Sequence, residues 1–340
     1  MKKISILGMG RWASCIAYIL DSGKHKITMW ERGTNGGSEL FNTHKNQYLT
    51  LPENISFTHN LEQAVQSADV IVISILSQNL QDLTEHLKQV DGYNKKCYCI
   101  AMKGIEATTG RRLSEVLIDG GIPRENIAVW AGPGHVQALA NGGVTNMLIS
   151  AYNTKLAKEL ANEFTTKNIA ITVSYDILGT ELCAACKNVY GIAAGVLHAY
   201  PKYNHCIGSL MVASVKELAG LIDALGGNPA SANGLALLGD YQATMFDEYS
   251  KNLTFGKLII EHNTLDEQSL NKFIKVCSVE GIKTAEAILK LRDAYNLKVS
   301  DAQKLELYII NTVHKIVTGN ISLSKAGDVL FEKICKVLEN

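Results

Sequence analysis

Apolar and polar positions follow two different rhythms along the chain. In the first half, short runs rich in β-branched residues predict strands at 4–7, 26–30, 70–75, 97–102, 127–131, 146–151 and 169–174. Between them, as at 80–90 and 155–164, apolar residues recur every three or four positions, which predicts helices that cover a sheet. This alternation predicts an α/β fold, a doubly wound domain with a parallel sheet.

The pattern changes near Gly179. From there to Asn340 it predicts helices at 181–199, 206–225, 229–238, 265–277, 282–291 and 302–318, with glycines 226, 227 and 281 as stops. A length of 340 residues suits two domains. We therefore expect a doubly wound sheet domain at residues 1–178 and an all-helical C-terminal domain at residues 179–340.

The first predicted strand leads into Gly8-Met-Gly10-Arg11-Trp12-Ala13, followed by a helical pattern. A G-x-G-x-x-A turn between a strand and a helix is typical of a Rossmann domain that binds NAD or NADP. Gly8 permits the tight turn, and Gly10 lets the backbone approach the pyrophosphate at the positive end of the helix. We expect Gly8, Gly10, Arg11 and Trp12 to bind the cofactor.

Two charged residues, Glu31 and Arg32, end the second predicted strand, 23 residues after Gly8 in the case of Glu31. An acidic residue at this spacing bonds the ribose hydroxyls of NAD. Arg32 could instead pair with the adenosine 2′-phosphate of NADP or lie on the adenine. Both cofactors stay open, as does the alternative of two solvated charges.

Lys187 lies in an apolar, small-residue helix pattern. Its neighbours at three and four positions, Cys183, Ala184, Tyr190 and Gly191, carry no charge. An ammonium withdrawn from water needs a carboxylate or a ligand beside it. When a reduced nicotinamide gives hydride to a carbonyl carbon, a buried lysine can give a proton to the carbonyl oxygen. The alternative is a packed stem with its head in solvent.

The composition limits the partners. With 33 basic and 33 acidic side chains, the net charge of zero gives no general attraction to nucleic acid or to an anionic membrane. We expect a small-molecule partner, no nucleic acid and no stable membrane insertion. Eight cysteines include one C-x-x-C pair, Cys183 and Cys186, but no second pair with ligand spacing, which indicates reduced thiols and no metal site. No leader pattern is visible, which favours a cytoplasmic location.

The order of several motifs resembles that of the NAD(P)-dependent glycerol-3-phosphate dehydrogenase family, especially its bacterial form. The matching segments span nearly the whole chain: the glycine turn with Trp12, Lys103-Gly104, Gly132-Pro133-Gly134-His135, 181–196, 234–240 and 279–281. His135 could face the substrate or bond to the backbone.

This resemblance implies the roles of individual residues. Lys187 would donate and accept the proton, and Lys103 and Asp240 would polarise and orient it. Substrate contacts would come from Gly132, Gly134, Asn188, Thr244, Ser250, Lys251 and Asn252. Further cofactor contacts would come from Lys103, Val136, Lys251, Val279 and Glu280. The implied reaction is the reversible NAD(P)H-dependent reduction of dihydroxyacetone phosphate to sn-glycerol 3-phosphate, a phospholipid precursor, in a homodimer.

Four positions depart from the family pattern. Lys251 stands where the family has an arginine, and lysine keeps the charge but loses the planar fork that grips a phosphate. Gly134 replaces a hydroxyl residue, Arg11 a small residue and Leu237 a glycine. Arg11 could restore positive charge near the phosphates. Two alternatives follow: a reductase of another keto or 2-hydroxy compound, or a non-catalytic dinucleotide-binding sensor.

Overall fold

The computed structural model describes residues 1–21, 24–33, 38–247 and 249–339. The chain divides into two compact units, the first of Met1–Lys103 with Leu113–Ile177, the second of Gly104–Arg112 with Leu178–Asn340. The short segment Gly104–Arg112 belongs to the second unit because Arg112 forms an ion pair with Glu181 (2.8 Å) and Lys290 donates to the carbonyl of Ala107 (2.7 Å). The sequence predicted a single boundary at 178/179 and therefore placed the segment Gly104–Arg112 in the first domain.

The first unit is built on one sheet. Its strands are β1 (Lys2–Leu7), β2 (His25–Trp30), β3 (Ser56–Thr58), β4 (Val70–Ile73), β5 (Cys97–Ile100), β6 (Ile127–Ala131), β7 (Thr145–Ala151) and β8 (Ile169–Ser174), in the order β3-β2-β1-β4-β5-β6-β7-β8. The part β3-β2-β1-β4-β5-β6 is the strand order of a dinucleotide-binding Rossmann sheet. All seven predicted strands are present, and the three-residue β3 is an addition.

The prediction that the sheet is parallel is wrong for one pair of the described strands: β6 and β7 pair antiparallel. The other neighbouring strands run parallel. The connection from β6 to β7 holds only the five-residue helix Val136–Ala140. A parallel crossover usually needs a longer helix, so this short link returns the chain in the opposite direction.

Helices flank this sheet at α1 (Arg11–Leu20), α2 (Glu39–Thr43), α3 (Leu61–Gln66), α4 (Leu80–Leu87), α5 (Leu113–Asp119), α6 (Val136–Ala140) and α7 (Thr154–Phe164). The central strand β4 is apolar on both faces: Val70 and Val72 lie on one face, Ile71 and Ile73 on the other, and all four are buried. Strands covered on both sides read as continuous apolar runs, which is why the sequence revealed them.

The second unit is helical, with α8 (Ile177–His198, which begins at the unit boundary), α9 (Ile207–Ala224), α10 (Lys251–Glu261), α11 (Glu267–Leu270), α12 (Glu280–Asn296), α13 (Tyr308–Val317) and α14 (Ala326–Glu339). Two helix predictions are wrong, and the one at 302–318 begins six residues too early, since α13 begins at Tyr308. Residues 229–238 hold a 3₁₀ turn at Pro229–Asn233 and the first residue of another at Leu238–Tyr241. Residues 265–277 hold only the four-residue α11 before a 3₁₀ turn at Val276–Ser278. Pro229 and Gly234 confine the first turn.

The segment Pro201–Ala224, which contains α9, is long and apolar enough by length and composition to cross a membrane. Its apolar side chains Leu210, Leu218 and Leu221 are buried inside the second unit. Core helices commonly reach the same hydropathy, so this segment fits a place in the helical core.

Candidate active site

The glycine turn has the geometry that the sequence predicted. Gly8 has φ +126°, and a Cβ there would lie 2.2 Å from the carbonyl oxygen of Ser74. Gly10 is the N-cap of α1, and no described residue comes within 4 Å of its Cβ position. The N-terminus of α1 is therefore open to an anion, which fits the pyrophosphate of a dinucleotide.

Trp12 explains one departure from the family pattern. A Cβ on Gly134 would lie 2.6 Å from Cη2 of Trp12. The Trp12 ring also packs edge-on against Trp130, with 6.3 Å between ring centroids. Any larger residue at position 134 would displace the tryptophan. Arg11 follows the turn, and its guanidinium lies 5.6 Å from the ring centroid of Tyr48.

The two charged residues at the end of β2 have protein partners. Glu31 accepts a hydrogen bond from the backbone N–H of Ser38 (2.9 Å). Arg32 donates to Asp82 (2.6 Å) and lies 3.4 Å from Nε2 of His86, with more than half of its side chain exposed. Glu31 lies directly after β2 with its carboxylate bonded to the protein backbone, while Arg32 is turned to a neighbouring acid.

Lys103 and Gly132 come together at the carboxyl ends of β5 and β6. The Lys103 ammonium donates to the Gly132 carbonyl (3.2 Å), and Gly132 has φ +116°. Ligands of doubly wound sheets bind outside this edge. Val136 begins α6 nearby, but its side chain is buried, so only its backbone could reach a cofactor.

Lys187 is buried in a polar cluster of the second unit. Only 7% of the residue is exposed, and its Nζ lies 2.7 Å from Oδ2 of the fully buried Asp240. It also donates to the Thr244 hydroxyl (3.0 Å), which in turn donates to the Asp240 carbonyl (2.7 Å). The alternative of a lysine head in solvent is therefore wrong.

An irregular turn supplies these partners. Asp240 lies in a 3₁₀ turn, Leu238–Tyr241, and Thr244 in the π-helical turn Gln242–Phe246 that follows. Wide π-turns are frequent at functional sites because they redirect a side chain within one turn. Here the turn brings both oxygen groups to a single ammonium.

Helix α8 needs its small residues for a close crossing with α10. A Cβ on Gly195 would lie 2.1 Å from the Leu253 carbonyl oxygen, and one on Gly256 would lie 2.2 Å from that of Ile192. The two helix backbones are therefore in contact. This approach brings Asn188 on α8 to Asn252 on α10.

The two asparagines belong to a hydrogen-bonded ring. Asn252 donates to the Asn188 side-chain oxygen (3.1 Å), and Asn188 donates to Glu280 (3.2 Å). The backbone N–H of Gly281 donates to Asn252 (3.0 Å) and closes the ring, because it follows Glu280 directly. The ring fixes the orientation of both amides. Val279 beside it is buried.

Lys251 is the exposed first residue of α10, after the N-cap Ser250, whose hydroxyl accepts from the N–H of Leu253 (3.4 Å). Its ammonium donates to the hydroxyl of Ser278 (2.9 Å). Ser278 was not singled out from the sequence, where it is one serine among many with no motif around it.

Burial explains the cysteine pair in α8. Cys183 and Cys186 are both fully buried, and burial raises the pKa of the Cys186 thiol well above its ordinary value. Within the described residues, no three His, Cys, Asp or Glu side chains are grouped as metal ligands. The pair is part of the packing of the second unit.

An open helix N-terminus on a Rossmann sheet and a buried lysine with an acidic partner are the two parts that a dinucleotide-dependent dehydrogenase needs, one to hold the cofactor and one to move a proton. The protein is of this class.

Two protein-family models agree with the assignment to this class. The model for the N-terminus of NAD-dependent glycerol-3-phosphate dehydrogenase matches residues 3–157, and that for the C-terminus matches residues 176–328. The chain belongs to the NAD-dependent glycerol-3-phosphate dehydrogenase family, and it is an oxidoreductase that acts on CH–OH groups with NAD or NADP.

Individual relatives are similar along their full length. The glycerol-3-phosphate dehydrogenase (NAD(P)+) of Fusobacterium nucleatum is 30% identical over 97% of this chain and 96% of its own. That of a Thermoanaerobacter species is 31% identical over 93% and 92%. These matches confirm the family expected from the sequence.

Solved structures share the fold. A glycerol-3-phosphate dehydrogenase from Coxiella burnetii superposes with a TM-score of 0.86 at 23% identity, covering 97% of this chain and 99% of that one. A D-mandelate dehydrogenase with NADH reaches 0.52 at 13% identity, covering 94% and 98%. The predicted fold class is confirmed.

Proposed function

We propose that this protein reversibly reduces dihydroxyacetone phosphate to sn-glycerol 3-phosphate and that Lys187 is its proton donor. The observation that carries the proposal is the buried ammonium of Lys187, held by Asp240 and Thr244, in a chain of this family. The bound NADH or NADPH supplies the hydride for the C2 carbon of the substrate.

Three residues of the second unit serve the proton transfer. The Lys187 ammonium donates a proton to the C2 oxygen as that oxygen gains negative charge, and takes it back in the reverse direction. The Asp240 carboxylate offsets the cost of burying the charge and aims the amine. The Thr244 hydroxyl fixes the amine from a second direction. From the family resemblance, Lys103 would add a further positive charge that polarises the carbonyl.

The remaining candidate residues would bind and orient the dinucleotide and the substrate. Gly8, Gly10 and Arg11 would hold the dinucleotide phosphates, with Trp12 beside them. Glu31 and Arg32 would contact the adenine ribose.

Lys251, with Ser250 at the start of α10, would attract the substrate phosphate as a point charge, since a lysine cannot form the two parallel bonds of an arginine. The asparagine ring would border the substrate and the cofactor. Its members are Asn188, Asn252 and Glu280, and Val279 lies beside it. Gly132, Gly134 and Val136 would offer backbone groups.

We also infer three properties from the family resemblance: a homodimer, a cytoplasmic location and a role in supplying a phospholipid precursor. Light scattering coupled to size-exclusion chromatography tests the first. A mass near 37 kDa, that of one chain, would contradict the dimer.

The experiment for the reaction compares wild type, Lys187→Ala and a control, Lys257→Ala, in NADH and NADPH oxidation with dihydroxyacetone phosphate. Lys257 is half exposed on α10 and pairs only loosely with Glu261 (3.5 Å). We expect Lys187→Ala to lower kcat by about 10²–10⁴-fold, the usual contribution of a general acid. The control should keep wild-type rates, and both variants should bind the dinucleotide normally.

Two results would contradict the proposal in different ways. If Lys187→Ala kept kcat within about tenfold of wild type, the proton donor would be another group. If wild type failed to turn over dihydroxyacetone phosphate but reduced another ketone in a Lys187-dependent way, the substrate would be wrong and the mechanism retained.

A further inference from the structure

Helix α9 carries two buried polar side chains on one face that have no part in the mechanism above. They are Ser214 and Glu217, three residues apart and therefore neighbours on the helix surface. Each is bonded to a buried tyrosine, Ser214 to Tyr241 and Glu217 to Tyr190. These tyrosines connect α9 to the two halves of the lysine–aspartate pair.

Tyr241 directly follows Asp240 in the 3₁₀ turn. Its hydroxyl lies 2.6 Å from the hydroxyl of Ser214. Ser214 has one hydroxyl hydrogen, which it donates to the carbonyl of Met211 (2.9 Å), so Tyr241 is the donor to Ser214. The side chain that follows Asp240 is thus tied to α9 in a defined direction.

Tyr190 lies three residues after Lys187 on α8, and its hydroxyl donates to Oε1 of Glu217 (3.2 Å). Glu217 also accepts from the backbone N–H groups of Ile309 (2.7 Å) and Ile310 (3.2 Å). These two N–H groups belong to the first turn of α13, where a carboxylate is favoured by the helix dipole. Glu217 therefore ties the turn of α8 that follows Lys187 to two other helices.

Burial keeps both tyrosines in the donor form. The pKa of Tyr190 and that of Tyr241 are raised well above the ordinary value, chiefly because both phenols are removed from water. A buried hydroxyl that loses its partner costs free energy, so these bonds resist displacement. The two contacts are therefore fixed anchors.

We propose that Ser214 and Glu217 are positioning residues for proton transfer, which act through Tyr241 and Tyr190 to hold Asp240 and Lys187 at their 2.7 Å contact. The kinetic part of this inference rests on the proposed function. A catalytic group must be held within about 0.5 Å of its working geometry, and a displacement of 1 Å can cost about 10²-fold in rate. Two anchors on one rigid helix give that precision.

The test removes one hydroxyl at a time, with Tyr241→Phe and Tyr190→Phe, because phenylalanine keeps the ring and the packing. The matched control is Tyr98→Phe on β5, an equally buried tyrosine whose hydroxyl donates to the carbonyl of Tyr93 (3.0 Å). Three readouts are taken at a temperature where all variants are folded: kcat and KM with dihydroxyacetone phosphate, the isotope effect with NADH deuterated at the transferred hydrogen, and crystal structures.

We expect Tyr241→Phe and Tyr190→Phe each to lower kcat by about tenfold with KM changed less than about twofold, since only the alignment of the amine suffers. The isotope effect on kcat should rise, because the chemical step becomes more rate-limiting. In the crystals, the distance from Lys187 Nζ to Asp240 Oδ2 should lengthen. Tyr98→Phe should leave all three readouts at wild-type values.

Wild-type kcat and isotope effect in both tyrosine variants would overturn the positioning role while leaving the proposed reaction intact. Equal losses in Tyr98→Phe would also overturn it, since the effect would then be general loosening. If wild type did not reduce dihydroxyacetone phosphate, the proposed reaction would fail by itself. The Lys187–Asp240 distance in the variant crystals would then decide the positioning role: a lengthened contact supports it, and an unchanged one overturns it.

Discussion

Breaking the buried contact between Lys187 and Asp240 should cost more than any surface substitution. Asp240 is fully buried and Lys187 almost so, and their charged atoms are 2.7 Å apart. Removing one partner of such a pair leaves an uncompensated buried charge and typically costs about 3–5 kcal/mol, whereas replacing both partners by apolar side chains is often close to neutral. We therefore expect about 3 kcal/mol for Lys187→Met or Asp240→Leu, and less than about 2 kcal/mol for the double variant.

The assay is urea denaturation of wild type, both single variants and the double variant at pH 7. The exposed pair Lys257–Glu261 provides the control cycle, Lys257→Met with Glu261→Leu, for which coupling below about 0.5 kcal/mol is expected. The reasoning would be refuted if the double variant at 187 and 240 lost the sum of the two single losses within about 0.5 kcal/mol, as independent sites do.

Three further outcomes follow from other contacts. Burial raises the pKa of Glu217 from 4.5 to about 7, so the folded state binds more protons than the unfolded chain between these values, and stability falls by roughly 3 kcal/mol as pH rises from about 4.5 to 7. Glu217→Gln should remove this slope in urea titrations at several pH values, and equal slopes would contradict the account. Arg112→Met should lower the free energy of unfolding by about 3 kcal/mol, because it removes the guanidinium that pairs with the buried Glu181, and a loss below about 1 kcal/mol would speak against this. Gly195→Ala places a Cβ 2.1 Å from the Leu253 carbonyl and should cost about 1–3 kcal/mol in thermal unfolding, and an unchanged Tm would mean that the crossing can open.

The sequence predicted the sheet well because of where its strands lie. Strand β4, for example, is covered on both faces and is a continuous β-branched run, Val70–Ile73, so local pattern and tertiary burial agree. The glycine turn was also predictable, since the need for Gly8 is a backbone requirement that any side chain would violate. The three-residue β3 was too short to show a period.

The candidate site was predictable only in part. The apolar helix pattern singled out Lys187 and the family resemblance added Asp240, but local pattern could not pair the two residues. Their contact depends on the π-helical turn that carries Thr244, and neither its width nor its direction has a sequence period. The anchors Tyr190 and Tyr241 are likewise apolar-patterned positions whose hydroxyl partners lie far along the chain.

Gly134 shows the same limit from the other side. From the sequence, its departure from the family pattern pointed to the substrate. In the structure, the space beside it is filled by the Trp12 ring, which leaves no room for a side chain. The substitution is a packing match between two segments that no local pattern connects.

The central claim is that the Lys187 ammonium gives its proton to the C2 oxygen of the substrate. The most direct measurement is a crystal structure of the protein with a dinucleotide and sn-glycerol 3-phosphate bound. The account predicts a distance of about 3 Å between Lys187 Nζ and the C2 oxygen. A distance beyond about 5 Å, with another protein group bonded to that oxygen, would contradict it.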